Sequence, residues 1–214
     1  MRRLVIFDCD GVLVDSERLV VGLEAEEITA LGWTLSPADV IERFVGRSEA
    51  HMVAEIARHV PGGAPEGWHD RLRERTHRLF RERLVPVEGV VDAVATVGER
   101  HATCVASSGG HDRLRLVLGL TGLYDTFAGR IHSAQDVARG KPAPDLFLHA
   151  AAAEGFAPSG CVVVEDSVPG VLGAVDAGMR VLGYGSGLTP GATLADAGAE
   201  VFTGMRDLPR LIGA

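Results

Sequence analysis

Leu4-Val5-Ile6-Phe7-Asp8-Cys9-Asp10-Gly11-Val12-Leu13 is the stretch whose reading decides the fold. Four consecutive apolar residues closed by a turn predict a short strand buried on both faces. Two carboxylates follow at its C-terminal end, and Gly11 lets the chain turn there. In an open parallel sheet that end of the strands is where ligands bind. Strand side chains alternate, so Asp8 and Asp10 face the same way, roughly 6.5–7 Å apart in extended chain. They converge on one small volume. Like charges so placed repel, which raises the pKa of one and calls for a cation. A polar strand end with a turn aspartate is the plainer alternative. Cys9 lies between the two acids and points the other way, into core packing.

The surrounding chain has two textures. After about residue 88, helix and strand patterns alternate: helices over Val90–Glu99, Asp112–Leu120, Pro144–Glu154 and Pro169–Ala177, strands over His101–Ser107, Cys161–Val164, Arg180–Tyr184 and Glu200–Phe202. Alternation of this kind predicts a parallel sheet covered on both faces. Residues 17–86 are instead helix-rich and lack β-branched runs. Amphipathic helices are expected over Glu17–Leu31, Glu49–Val60 and Trp68–Leu84, the last two separated by Pro61-Gly62-Gly63-Ala64-Pro65. This block reads as a helical insertion after the first strand, placed to hang over the strand ends as a lid.

Composition bounds the rest. The 214 residues suffice for one domain or one domain with an insertion. Hydrophobic residues at 46% and charged residues at 23% suit a soluble globular chain, and no apolar stretch is long enough to span a bilayer. Met1-Arg2-Arg3 precedes an apolar run, but Asp8 and Asp10 interrupt it too early for a secretory signal, so a cytoplasmic location is expected. Cys9, Cys104 and Cys161 form no C-x-x-C pair and read as buried thiols. The net charge of −8 argues against non-specific nucleic-acid binding but leaves room for a small anion held by a local positive site.

Three further motifs end elements at the same edge. Ser107-Ser108-Gly109-Gly110 closes a strand before a helix, and hydroxyls with free N–H groups in a glycine-rich turn suit an oxyanion. A simple N-cap is the alternative. Gly140-Lys141-Pro142-Ala143-Pro144-Asp145 fixes a lysine in a stiff turn, where a solvated charge is the plainer reading. Val162-Val163-Val164-Glu165-Asp166-Ser167 is a second buried strand ending in acids. Adjacent strand residues point opposite ways, so Asp166 is the better metal ligand, with Glu165 beside it. Carboxylate oxygens suit Mg²⁺. Four acids against one lysine would repel a phosphate dianion, so a divalent cation is required for the cleft to hold one.

Taken in order, Asp8-x-Asp10-Gly11-Val12, Ser107, Lys141 and Glu165-Asp166 resemble the four motifs of the haloacid dehalogenase-like phosphohydrolase superfamily. Phe7 to Glu17, Gly140 to Asp145 and Glu165 to Gly170 resemble its β-phosphoglucomutase-like branch and that branch's sugar-phosphate phosphatases. The resemblance spans the whole chain. It implies an α/β fold: a Rossmann-like parallel sheet core, residues 1–16 and 87–214, with a small helical cap, residues 17–86, inserted after the first strand. It implies Asp8 as nucleophile forming an aspartyl-phosphate and Asp10 as general acid, then base. It implies Ser107, Ser108 and Lys141 as phosphate holders. Mg²⁺ would be held by Asp8, the Asp10 main-chain oxygen and Asp166, with Glu165 nearby. Gly46-Arg47-Ser48 falls at a cap loop that touches substrate in this branch, and Gly109 borders the phosphate motif.

Two departures point away from mutase chemistry. No histidine follows the first motif, where the chain reads Arg18-Leu19-Val20-Val21, and Glu49 stands where mutases carry an arginine. Asp10 argues against true dehalogenase activity. The expected function is a Mg²⁺-dependent phosphatase of a small phosphorylated metabolite, a sugar or sugar-acid phosphate. The expected partners include neither nucleic acid nor membrane, and the expected state is a monomer or weak homodimer. A phosphomutase and a phospho-aspartate signalling module are the alternatives. Arg71, Arg75 and Arg78 share one face of a predicted helix. They form either a solvated face with ion pairs or a reach, by Arg75 for instance, toward an anionic substrate group. His111 either touches substrate or starts the next helix.

Overall fold

The computed structural model describes residues 2–213, so the expected core bounds at 1 and 214 fall just outside the described residues. β1 (Leu4–Phe7) is followed by four helices: α1 (Glu17–Ala30), α2 (Pro37–Phe44), α3 (Glu49–His59) and α4 (Trp68–Arg83). The chain then alternates through α5 (Val90–Gly98), β2 (Ala102–Ser107), α6 (His111–Leu120), α7 (Tyr124–Phe127), β3 (Ile131–Ser133) and α8 (Asp145–Ala153). It continues through β4 (Cys161–Glu165), α9 (Val168–Asp176), β5 (Arg180–Tyr184), α10 (Gly191–Asp196), β6 (Glu200–Phe202) and α11 (Leu208–Ile212). Among the described residues no helix is long and apolar enough to cross a membrane.

The strands form one parallel sheet in the order β3-β2-β1-β4-β5-β6. The fold is α/β with a Rossmann-like core, as the alternation predicts. β1 sits in the middle, and the order reverses beside it. The C-terminal ends of β1 and β4 therefore flank the crevice where doubly wound sheets bind ligands. Alternation divides β1 between two layers. Val5 and Phe7 pack with Val94 of α5 and Leu114 and Val117 of α6. Leu4 and Ile6 pack on the other face with Phe147 of α8 and Val171 of α9. All four β1 side chains are fully buried, each worth roughly 1.5–3 kcal/mol over exposure. That burial anchors the strand carrying Asp8.

α1 to α4 lie between β1 and β2 in the chain and share their own apolar cluster, including Ile28, Val40, Phe44, Ile56 and Trp68. The insertion has four helices where periodicity predicts three. The extra one, α2, is announced by local chemistry: Ser36 and Asp39 form a reciprocal capping box, with Pro37 at the first position. The chain enters and leaves the insertion through paired linkers. The Asp15 N–H donates to the Val85 carbonyl at 3.0 Å, and the Val87 N–H to the Leu13 carbonyl at 3.1 Å. Val14 and Pro86 form the antiparallel bridge between them.

Candidate active site

Three loops meet where β1, β2 and β4 end. After β1, the Asp8 N–H extends the sheet by donating to the Val164 carbonyl at 2.9 Å. The chain then coils tightly: the Leu13 N–H returns to the Cys9 carbonyl at 2.9 Å, and Gly11 adopts φ +79°. Cys9 is buried in the core on the opposite side. The coil leaves Asp8 and Asp10 on the crevice.

Lys141 joins Asp8 to β4. Its Nζ donates to Asp8 Oδ1 at 2.5 Å and to Glu165 Oε1 at 2.6 Å, with its side chain only 1% exposed. Burial by itself would lower the Lys141 pKa, but the two carboxylates outweigh it and hold the ammonium above its ordinary value. Burial pushes the Asp8 carboxyl up to about 7, with Lys141 pulling the other way. Glu165 is fully engaged. Its Oε2 accepts from the Asp166 N–H, the Ser167 N–H and the Ser167 hydroxyl, each at 2.9 Å.

Asp166 is the exception. Both of its carboxylate oxygens are buried without a hydrogen-bond partner among the described residues. Burial pushes its pKa well above the usual carboxylate range, and Glu17, Glu165 and Asp8 add to the effect. Such a group costs several kcal/mol unless a cation meets it. Asp8, Glu165 and Asp166 offer ligand atoms within 4.8 Å of one another. An all-carboxylate donor set fits a hard divalent cation such as Mg²⁺. The turn at Gly11 shapes this place: a Cβ there would lie 1.9 Å from Asp166 Oδ2. Gly11→Ala is therefore expected to displace Asp166 and raise the half-saturating Mg²⁺ concentration at least about tenfold, since a strained left-handed alanine costs about 1–3 kcal/mol. Mg²⁺ titration followed by thermal unfolding measures it, and an unchanged midpoint would detach Asp166 from the cation.

At the end of β2, the Ser107 hydroxyl accepts from the Gly109 N–H at 3.1 Å, leaving its proton for another acceptor. Ser108 Oγ crosses to the insertion and donates to the Gly46 carbonyl at 3.0 Å. Gly46 also lies against β4's loop, where a Cβ would meet Ser167 Oγ at 2.4 Å. The insertion is thus seated on the core at Gly46. Between them is a cavity of about 460 Å³, bordered by Asp8, Asp10, Ser107, Arg47, Arg73 and Arg113 among others.

Arg113 is a candidate site residue that the motifs do not reveal. Its Nη2 donates to Asp10 Oδ1 at 2.6 Å, and the Ser16 hydroxyl donates to the same oxygen. Its guanidinium also stands 4.8 Å over the Phe80 ring of α4. Burial alone would raise the Asp10 pKa, but Arg113 and Ser16 hold the carboxyl below its usual range. One signal was available. Arg113 sits in the first turn of α6, where the helix dipole disfavours a cation, so some other partner must favour it. Glu17 was also missed as more than a helix start: it lines the cavity, and its buried Oε2 has no partner among the described residues.

The structure separates the arginines of α4. Arg75 pairs with Glu27 of α1, turned from the cavity. Arg73 borders the cavity instead, from a position the shared-face argument does not select. His111 is the first residue of α6, one earlier than the periodicity predicts, and its Nε2 lies 2.8 Å from Asp136 Oδ1. His69 and His77 also line the cavity.

Residues 2–178 match the haloacid dehalogenase-like hydrolase family. The chain is similar to the 6-phosphogluconate phosphatase of Escherichia coli strain K12, at 31% identity over 97% of this chain and 93% of that one. It is similar to hexitol phosphatase B of the same organism, at 32% identity over 82% of this chain and 80% of that one. Among solved structures it resembles a conserved haloacid dehalogenase-like protein of unknown function from Agrobacterium tumefaciens strain C58. That match has a TM-score of 0.81 and 36% identity, covering 100% of this chain and 98% of the other.

Proposed function

Since the chain belongs to the haloacid dehalogenase-like hydrolase family, we propose that it is a Mg²⁺-dependent phosphatase of a small phosphorylated metabolite. The observation that carries this is Asp166, buried and unpartnered beside Asp8, with Lys141 and Ser107 on the same crevice. Mg²⁺, held by the Asp8 carboxylate, the Asp10 main-chain oxygen and Asp166, would supply positive charge for the phosphoryl oxygens. Glu165, with both oxygens occupied, holds Lys141 and the 166–167 turn in place.

The chain's own residues divide the reaction. An Asp8 oxygen attacks phosphorus, forming an Asp8–phosphate bond as the bond to the substrate oxygen breaks. Asp10, whose ionised form Arg113 and Ser16 favour, takes up a proton from the entering phosphate monoanion and gives it to that leaving oxygen. Asp10 then takes a proton from water, whose oxygen attacks phosphorus, and the bond to Asp8 breaks to release inorganic phosphate. Ser107, with its free hydroxyl proton, and Lys141 hold phosphoryl oxygens, and Ser108 holds the cap loop at Gly46. The insertion, residues 17–86, closes over the site and keeps bulk water from the first half-reaction.

Three arginines border the cavity, Arg47 and Arg73 from the insertion and Arg113 from the core, among the acids Glu17, Glu24, Glu49 and Asp112. Arg113 is taken by Asp10, so an acidic substrate group would meet Arg47 or Arg73, and on that reading we favour a sugar-acid phosphate over a neutral sugar phosphate. The net charge of −8 supports a role without nucleic acid. We place the protein in the cytoplasm, as a monomer or weak homodimer.

Phosphate release from a panel of sugar and sugar-acid phosphates tests the reading. Release is expected with Mg²⁺, is abolished by chelator, and is fastest on sugar-acid phosphates. Label moving within a hexose phosphate without release would indicate a mutase, and label resting on the protein would indicate a signalling module. The metal dependence carries a pH signature. Below about pH 7 the Asp8 carboxyl holds a proton that the cation must expel. Burial raises Asp166 as well, so its proton adds to that of Asp8, and the half-saturating Mg²⁺ concentration should rise by about tenfold or more per pH unit as the pH falls through neutrality. A flat profile across neutrality would remove Asp8 from the ligand set.

A further inference from the structure

On the far side of β2 from β1, strand β3 and helix α8 pack together at the edge of the sheet. Three side chains converge there: His132 from β3, Asp136 from the turn after it, and His149 from α8. Their ligand atoms lie within 4.8 Å of one another. His132 is only 7% exposed, whereas Asp136 and His149 reach solvent. The two imidazoles meet edge to face, with centroids 5.4 Å apart.

Two of the three groups are held from behind. The Ser133 N–H donates to Asp136 Oδ2 at 2.8 Å, and His111 Nε2 lies 2.8 Å from Asp136 Oδ1. Glu154 Oε1 lies 3.0 Å from His132 Nε2. A carboxylate behind an imidazole fixes the ring and leaves its other nitrogen free to ligate, the usual outer arrangement of metal-binding histidines.

We propose that His132, Asp136 and His149 form a second metal site, selective for a transition metal of the zinc class. Two imidazoles and one carboxylate are nitrogen-rich donors that Zn²⁺ and Co²⁺ prefer and Mg²⁺ does not. The donor set therefore separates this site from the all-carboxylate cluster at Asp166. A tetrahedral ion with bonds of about 2.0–2.2 Å needs its donors closer than 4.8 Å. Rotation of the exposed His149 toward the held Asp136 and His132 supplies the contraction. The fourth position faces solvent.

The placement gives the metal a purpose. The turn between His132 and Asp136 braces the phosphate-holding loop: Ser133 Oγ donates to the Gly109 carbonyl at 2.7 Å, and Gln135 Oε1 accepts from the His111 N–H at 3.1 Å. α8 begins just after the Lys141 turn. A metal joining α8 to that turn staples together the supports of both loops.

The test uses Co²⁺ as the probe on the full chain, with excess Mg²⁺ present. One equivalent is expected to give the strong visible bands of tetrahedral Co²⁺. Zn²⁺ should displace it and raise Tm by about 5–10 °C at a hundredfold excess over Kd. His149→Ala should weaken Co²⁺ binding at least about a hundredfold while leaving Mg²⁺-supported phosphate release unchanged. Asp166→Asn should retain the bands. Absent bands in the parent protein would overturn the proposal, as would bands that survive His149→Ala or vanish in Asp166→Asn. Because the readout is absorbance, it stands apart from the phosphatase reading.

Discussion

Asp8→Asn is expected to lower kcat by about 10⁴–10⁶-fold, the scale of losing a nucleophile whose partners remain in place. The amide keeps the shape of the carboxylate and still accepts a hydrogen bond from Lys141, but it cannot form the bond to phosphorus. Folding should not suffer. Asp8 shares a buried volume with Glu165 and Asp166, so removing its charge relieves repulsion that Lys141 alone offsets. Without divalent ions the variant should melt no lower than the parent. With Mg²⁺ it should gain less, having lost one ligand. Phosphate release at a tenth of the parent rate, with reversion to aspartate excluded by mass spectrometry, would refute the assignment of Asp8.

Lys141→Met should fail in both respects. Lys141 is the one cation that touches both Asp8 and Glu165 among the described residues. Removing it leaves two buried carboxylates uncompensated, at a cost of about 3–5 kcal/mol. The loss should be largest above about pH 7 without divalent ions, where Asp8 is ionised and depends most on the ammonium. It should shrink as the pH drops and the carboxyls protonate. Turnover at saturating Mg²⁺ should fall about 10²–10³-fold, the usual penalty for deleting a charged donor aimed at the reacting group. Denaturant unfolding with and without Mg²⁺ separates the two effects. A variant as stable as the parent in chelator would contradict the buried-pair account.

The sequence makes some of this visible and hides the rest for physical reasons. The C-terminal ends of β1, β2 and β4 were legible because each buried apolar run ends abruptly in polar residues. The structure brings Asp8, Lys141, Glu165 and Asp166 into one crevice and puts Ser107 on its rim. Strand order was not legible, since all the apolar runs read alike. β3 escaped because three residues are too few for a period to show. α2 escaped although its cap was written in Ser36-Pro37 and Asp39. The arginines of α4 surround much of the helix, so their pattern could not say that Arg75 turns to α1 while Arg73 meets the cavity. Arg113 and Asp10 are separated by 103 positions, and no local pattern joins them. His132, Asp136 and His149 come together only because α8 packs on β3.

The paired linkers at Leu13 to Asp15 and Val85 to Val87 have a consequence for descent. Because the chain departs and returns side by side, the segment between the two linkers is joined covalently to the core through a single seam. A gene could lengthen, trim or replace that segment, and β1 would still meet β2 in the same register. On the proposed function, the groups that break the bond lie on the core, and the insertion's cavity-facing residues can change without moving them.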